Sequence, residues 1–413
     1  MIFDVIIVGA GPAGSTAALY LGKAGKKVLL IDKAEFPREK ICGDAQGRKA
    51  LSIIKELGLY EAYKGIEGQE IYGITLSSPN GTTVEFDVES RDKPAPGYTH
   101  KRKVFDNFLF QNAKKMVETK ILNVEDIIVE NGNVKGIVGV NKNNETERIY
   151  AKIVLAADGA LSVLARKFGI DKNPPEHFIT AVRTYFKGVT GMTDRIEIHV
   201  LKELVPGYFW IFPLPNDEAN VGLGMIVKDM AKKKIVLKDA LLRIIKEHPL
   251  FVERFKNAQM LEEVKGWSLP IASFKRKCYG NGILFLGDAA GLIDPLSGEG
   301  VGNAMISGRI ASIVCLEALE KNSFHEAFLK RYDKLLWNEI GEEIKINYRL
   351  QRLGKMFPGL IDKLLDKAKK DENFKKKVEA YLPNAKARKK LASFDFLSIL
   401  SPSIKKEDVE EGL

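Results

Sequence analysis

Two stretches decide the fold: Val5-Ile6-Ile7-Val8-Gly9-Ala10-Gly11-Pro12-Ala13-Gly14 and, just downstream, Val28-Leu29-Leu30-Ile31-Asp32. Val5 to Val8 is a short run of β-branched apolar residues, as a buried strand requires. Gly14 to Gly25 is small and apolar, suited to a helix packed on a sheet. Val28 to Ile31 is a second buried strand. Apolar runs without alternation imply strands covered on both faces, hence a βαβ unit in a parallel sheet. Gly9 permits the tight turn, Gly11 lets a pyrophosphate approach the backbone, and Gly14 lets helix and strand pack closely. The helix N-terminus offers free N–H groups and a favourable dipole to an anion. Asp32 follows Gly14 by 18 residues and ends the second strand, where a carboxylate accepts from ribose hydroxyls. A glycine-rich turn alone would be weak evidence. Strand, helix, second strand and terminal acid together specify a dinucleotide site, without separating NAD from FAD.

Two later passages separate them. Ile153-Val154-Leu155-Ala156-Ala157-Asp158-Gly159-Ala160-Leu161-Ser162 is a buried strand ending in Asp-Gly. Ile283-Leu284-Phe285-Leu286-Gly287-Asp288-Ala289-Ala290-Gly291 is another, followed by Pro295, Gly298-Glu299-Gly300 and a helix to about Glu320. Asp288 at a strand end can reach a ribityl or pyrophosphate oxygen. Gly300 at a helix start can present backbone N–H groups to a flavin ring edge. Either Gly-Asp alone would be a plain strand-end turn; the set of three is far more specific.

Elsewhere, Lys49–Gly58 and Lys101–Lys115 read as helices. Ile71–Val88 alternates around Asn80-Gly81, a hairpin signal. Strand pairs are expected around Val124–Ile137, and Thr180–Val227 alternates in short runs, as an antiparallel sheet would. Tyr208, Trp210 and Phe212 alternate on one of these strands, so their rings share a face. After Phe324 the chain reads as lysine-rich helices broken by Pro358, Pro383 and Pro402.

These features resemble the FAD-dependent enzymes of the para-hydroxybenzoate hydroxylase fold, and within them the geranylgeranyl reductase family, from Ile2 to about Leu319. Besides Gly9, Gly11 and Gly14, the resemblance rests on Pro37-Arg38-Glu39-Lys40-Ile41-Cys42-Gly43-Asp44-Ala45, Arg102-Lys103-Val104-Phe105-Asp106, Asp158-Gly159 and Gly287-Asp288. The most family-specific piece is Tyr208-Phe209-Trp210-Ile211-Phe212-Pro213, followed by Asn220-Val221-Gly222-Leu223-Gly224. It is similar to the motif lining the isoprenoid site of these reductases.

The resemblance implies an α/β fold: a Rossmann-like FAD domain with an inserted antiparallel β substrate domain and a helical C-terminal region. The expected FAD-binding parts are 1–62, 101–175 and 275–325. The substrate sheet takes 63–100 and 176–274, and 326–413 forms the helical basic region. The FAD contacts it implies fall on Ala13, Asp32, Gly43, Ala45, Arg102, Val124, Asp288, Gly300 and Val301. Tyr208, Trp210 and Phe212 would line the substrate pocket, with Cys42, Tyr208 and Trp210 nearest the chemistry. Cys42 reads two ways, as a small buried thiol or as a polar group beside the reacting alkene. Asp44 divides similarly between a turn-forming residue and a site residue. Asp32 stands where many relatives carry Glu, a shorter reach toward the adenosine. Arg-rich features facing a nicotinamide are not evident, which leaves ferredoxin and NAD(P)H both open as electron donor. The implied activity is reduction of isoprenoid double bonds, on geranylgeranyl diphosphate or a geranylgeranylated ether lipid. The alternatives are a flavin monooxygenase of the same fold and a non-catalytic prenyl-lipid carrier.

Composition fits this frame. The 413 residues are 45% hydrophobic and 29% charged, an ordinary globular balance. Three cysteines, Cys42, Cys278 and Cys315, cannot make a disulfide framework or hold an iron–sulfur cluster, and a reducing compartment follows. No run approaches the roughly 18 apolar residues of a membrane span, and the strand pattern at the N-terminus leaves no room for a signal peptide. None of the five histidines has metal-ligand spacing, so His100, His177, His199, His248 and His325 are expected on the surface or in loops.

The net charge is +10, and its location is informative. Residues 345–390 hold 15 Lys and Arg against 5 Asp and Glu, leaving 49 of each sign elsewhere. A neutral body with one basic segment argues against a nucleic-acid partner. Phe357, Leu360, Ile361, Leu364 and Leu365 recur at helical spacing beside the lysines. That pattern is either a solvated face or an amphipathic helix on an anionic membrane. The expected localisation is cytoplasmic, with peripheral membrane attachment through 345–390 as the alternative.

Overall fold

A computed structural model describes residues 2–383 and 385–400. In chain order its principal elements begin with β1 (Ile2–Val8), α1 (Pro12–Lys23), β2 (Val28–Asp32), β3 (Gly73–Ser77) and β4 (Thr83–Asp87). Next come α2 (Arg102–Lys114), β5 (Glu118–Ile121), β6 (Thr146–Ala156), β7 (Phe178–Lys187), β8 (Arg195–His199), β9 (Tyr208–Leu214) and β10 (Glu218–Ile226). The rest are β11 (Lys265–Pro270), β12 (Ile283–Phe285), α3 (Val301–Glu320), α4 (Glu326–Met356), α5 (Gly359–Lys370) and α6 (Glu372–Tyr381).

The first sheet carries β12, β6, β1, β2 and β5 side by side and parallel. Its centre is apolar on both faces: Val5, Ile6, Ile7, Leu155 and Leu284 are all buried. α1 and α3 pack together on this sheet at very short range. A Cβ on Gly308 would lie 2.4 Å from the Ala13 carbonyl oxygen, so only glycine allows the approach. Among the described residues α3 is the one helix long and apolar enough to cross a bilayer, yet most of it is buried inside the protein. It is the core helix of this layer.

The second sheet runs β7, β10, β9, β8, β3, β4, with β11 paired to the far side of β7. Its pairs are antiparallel except β8–β3, which is parallel. The expected purely antiparallel sheet is therefore mixed. The β3–β4 hairpin comes from a separate stretch of chain, and no tight turn forces β3 to run against β8. One face of the sheet buries Phe209, Ile211, Val221 and Leu223 against the helix Leu237–Glu247.

The basic C-terminal helices correct one expectation. Leu360 and Leu365 of the apolar stripe are buried against Val84 and Phe86 of β4, with Phe357, Ile361 and Leu364 packed around them. The stripe faces the protein, not a bilayer. Acidic side chains make the join. Asp362 and Asp366 accept from the Asn80 amide groups and the Thr82 hydroxyl at the hairpin tip, and Glu379 accepts from Asp87 N. Lys363, Lys369, Lys370, Lys376 and Lys377 are left exposed. Pro402 and residues 401–413 of the expected C-terminal region lie outside the described residues.

Candidate active site

The nucleotide end is built from two helix N-termini. α1 starts at Gly11 and α3 at Gly300, and neither has a side-chain cap. The first-turn N–H groups are therefore left for a ligand anion. Gly9 sits at φ +100°, with the Ala157 carbonyl only 2.2 Å from where a Cβ would be. Beyond Gly11 there is space: within 4 Å of its missing Cβ lies one side-chain atom, an Arg38 guanidinium nitrogen at 3.4 Å.

Asp32 accepts from Ala10 N at 2.9 Å and Ala34 N at 3.0 Å, which aims its carboxylate across the turn. Arg38 lies 3.7 Å from Asp32 and 3.3 Å from Asp106. The buried Asp106 takes a two-pronged bond from Arg102, at 2.6 and 2.8 Å. Arg102 is buried, but its pairing with Asp106 and its contact with Cys42 hold its affinity for the proton above the ordinary guanidinium value. Asp288 sits in the turn Gly287–Ala290 after β12, and its carboxylate oxygen lies 3.4 Å from the Cβ position of Gly300. Val301 opens α3 and is buried, as is Val124 on the strand Asn123–Glu130. Ala45 pairs with Thr99 in a small separate sheet.

The substrate end is one face of the second sheet. Cross-strand partners share a face, so the register reads out three rows. The first is Tyr208, Gly224, Ala181 and Trp267; the second is Trp210, Gly222, Arg183 and Lys265; the third is Phe212, Asn220 and Tyr185. Tyr208, Trp210 and Phe212 do share a face, with successive ring centroids 6.1 Å apart.

Trp210 lies flat across Gly222: a Cβ there would be 2.3 Å from the indole. Its N–H donates to Asn220 Oδ1 at 2.9 Å. In the first row two aromatic residues flank two small ones. Three strand spacings put Tyr208 and Trp267 about 14 Å apart over a floor of Gly224 and Ala181. The next row is Ile226, Ile179 and Leu269, so the trough is apolar on that side, while the row toward the strap carries Arg183 and Lys265.

The segment 40–44 crosses this face as a strap. Gly43 fits against Phe212, 3.1 Å from its Cβ position. Asp44, at φ 66°, is fully buried. It accepts from Tyr185 at 2.6 Å, Asn220 at 2.8 Å and Arg102 N at 3.1 Å. Burial outweighs these donors and pushes its carboxyl up to about 6. Asn220 also donates to the Cys42 carbonyl at 2.7 Å. Cys42 is a half-buried free thiol, and the Tyr208 hydroxyl donates to Ser297 O at 2.6 Å. Lys40 Nζ stands 3.7 Å over the Trp267 ring.

The sequence-derived residues thus fall into two adjoining groups. Gly9, Gly11, Ala13, Gly14 and Asp32 line the first turn, while Asp288, Gly300 and Val301 line the second. Gly43, Arg102 and Cys42 lie between these turns and the aromatic trio. Tyr185 and Trp267 carry no signal in the sequence, because cross-strand register alone brings them to this face. Asn220, Lys40 and Arg38 stand within the motifs that carry the resemblance, which gives them no role of their own; the structure supplies it.

The sequence profile of the FAD binding domain family matches residues 3–334. The digeranylgeranylglycerophospholipid reductase 2 of Methanopyrus kandleri is 34% identical over 364 residues, covering 86% of this chain and 87% of that one. The chain belongs to the geranylgeranyl reductase family. The digeranylgeranylglycerophospholipid reductase 1 of Methanococcoides burtonii is 32% identical over 94% of this chain and 93% of its own. A solved geranylgeranyl bacteriochlorophyll reductase-like protein of Thermoplasma acidophilum superposes with TM-score 0.81. It is 26% identical and covers 100% of this chain and 99% of that one. As a member of this family the protein binds FAD. The two uncapped helix N-termini and the open space above Gly11 fit a pyrophosphate, and Asp32 fits a ribose.

Two histidines correct the sequence expectation. His100 and His199 are 1% and 2% exposed and belong to the interior. His100 bonds Gln46 and Tyr63, and burial lowers its pKa to about 4. His199 bonds Ser77 and Glu197.

Proposed function

We propose that this protein saturates carbon–carbon double bonds of geranylgeranyl groups, with a geranylgeranylated glycerophospholipid as substrate. One observation carries the reading: Tyr208 and Trp267 flank the small Gly224 and Ala181 on the sheet face that the strap 40–44 crosses. A prenyl chain is long, unbranched in outline and wholly apolar, and needs a slot of this shape. The names of the relatives from Methanopyrus kandleri and Methanococcoides burtonii support the lipid class.

An isolated trisubstituted alkene is unpolarised, so hydride does not simply add. Reduced FAD supplies hydride; the chain must bind the alkene, exclude water and provide a proton. Trp210 is fixed flat by Gly222 and Asn220, and Tyr208 is fixed by Ser297, so the rings present their faces at no further ordering cost. Such faces stabilise a developing tertiary cation by about 0.5–2 kcal/mol each. Cys42, Tyr208 and Trp210 are the side chains we place nearest the reacting bond, with Phe212 closing the wall behind Gly43.

We further propose that the exposed lysines of α5 and α6 bring the protein to anionic membranes that contain this lipid. Attachment would be electrostatic, since the apolar stripe is already used within the fold.

The test is anaerobic. The FAD-loaded protein is reduced chemically and offered geranylgeranyl glycerophospholipid or geranylgeranyl diphosphate, and products are weighed by mass spectrometry. Gain of hydrogen pairs supports the reading. No gain on either substrate rejects it, and a hydroxylated product under air assigns a monooxygenase instead.

A further inference from the structure

The proton that accompanies hydride must come from a group that reaches the trough with an uncommitted N–H, O–H or S–H. Most candidates are committed. The Tyr208 hydroxyl donates to Ser297 O and the Trp210 N–H to Asn220. Asp44 is fully buried behind Tyr185 and Asn220. Cys42 lies in contact with the Arg102 guanidinium.

Lys40 differs. Its ammonium rests on the Trp267 ring at 3.7 Å, at the end of the row that floors the trough. Its one hydrogen bond among the described residues is a long one, 3.5 Å to Ile41 O. No carboxylate of the described residues pairs with it within 4 Å. We propose that Lys40 is the proton donor to the alkene. The assignment rests on the alkene-reductase reading above.

In the step, an Nζ–H bond of Lys40 breaks and a C–H bond forms at the less substituted alkene carbon. The positive charge passes from nitrogen to the more substituted carbon as hydride arrives there. Lys40 is left neutral and regains its proton from water. The charge passes from the Trp267 face, which holds the ammonium, toward the Tyr208 and Trp210 faces across the trough; an indole face that holds an ammonium also holds a carbon cation.

The surroundings agree. Burial lowers the Lys40 pKa to about 8, against the attraction of Asp288, Cys42 and Asp106, and with the repulsion of Arg102. Such a group is still protonated at neutral pH and gives its proton far more readily than a surface lysine.

Two measurements test this. In the wild-type holoprotein, amine acylation of Lys40 is followed by peptide mass spectrometry across pH. Half-maximal reactivity is expected near pH 8, with protection by geranylgeranyl glycerophospholipid. Reactivity rising only near pH 10.5, as on a surface lysine, overturns the proposal. Second, Lys40→Arg and Lys40→Met are assayed for FAD content and turnover. Both should keep FAD and lose activity by about 100-fold or more. Lys40→Arg keeps the charge but cannot release a proton, so a wild-type rate in that variant removes the proposal alone. The wild-type rate should fall above pH 8. If the same fall persists in the residual activity of Lys40→Met, the donor is another group. A wild type that reduces no prenyl lipid removes the reading and this proposal together.

Discussion

The Tyr185 hydroxyl donates to Asp44 Oδ2 at 2.6 Å, and this bond ties the strap 40–44 to the substrate sheet. Asn220 bonds the same oxygen and also the Cys42 carbonyl. The carboxyl that anchors the strap is itself strained electrostatically, because burial raises its pKa to about 6 from 3.8. A raised carboxyl favours the folded state most when protonated. Its contribution is therefore full below about pH 4 and is lost as pH climbs through 6.

Tyr185→Phe removes one donor from that carboxylate. The loss is larger when Asp44 is ionised, because a protonated carboxyl accepts only a neutral bond. We expect a deficit of about 0.5–1.5 kcal/mol at pH 5 and about 1.5–3 kcal/mol at pH 8, the worth of a bond to a neutral and to a charged group. Denaturant titrations at the two pH values check this; an equal deficit at both would mean that Asp44 is not the titrating partner.

Gly224→Leu tests the trough without touching the nucleotide end. A Cβ at Gly224 meets only ordinary contacts, Ala181 Cβ at 3.4 Å and Ile179 at 3.5 Å, so the backbone accepts a side chain. The added isobutyl group would stand on the trough floor. FAD content should be unchanged and prenyl-lipid turnover should fall at least tenfold. Full turnover in a variant that retains FAD would place the substrate elsewhere.

His100 gives an acid limb. Its pKa is near 4 in the fold and 6.5 when free, because burial disfavours the cation. The unfolded chain takes up the proton first, so stability is lost as pH falls from about 6.5 to 4, by about 3 kcal/mol in all. His100→Gln cannot titrate, and its melting temperature should drop less than wild type between pH 7 and pH 5. Parallel pH profiles for the two proteins would contradict the assignment.

How legible was this in the sequence? The parallel core was, because Val5–Val8, Val28–Ile31 and Ile283–Leu286 are apolar runs bounded by glycine and acid, and such runs have few other uses. The shared face of Tyr208, Trp210 and Phe212 was also legible, since alternation on a strand fixes it. The partners of those rings were not. Gly222 under Trp210, or Trp267 opposite Tyr208, depends on which strands pair and in what register, and that is set by distant segments. The lysine-rich helices misled for a related reason. Their apolar stripe looked free because its partner, the β3–β4 hairpin, lies some 280 residues earlier, as in the Asn80–Asp362 contact.

Membrane attachment by lysines alone should be strongly salt-dependent, because the Debye length shrinks from about 10 Å at 0.1 M salt to about 3 Å at 1 M. Liposomes containing anionic lipid should float the protein at low salt and release it at high salt. Replacing Lys363, Lys369, Lys370, Lys376 and Lys377 by Glu should abolish flotation while FAD content is kept. Flotation that survives high salt or this charge reversal would show that another surface makes the contact.

The most direct test of the central claim is the mass of the lipid after one anaerobic exposure to the chemically reduced holoprotein. We predict that geranylgeranyl glycerophospholipid gains hydrogen in pairs, and that Trp210→Ala, still loaded with FAD, does so much more slowly. A lipid of unchanged mass beside a fully reduced wild-type flavin would contradict the account.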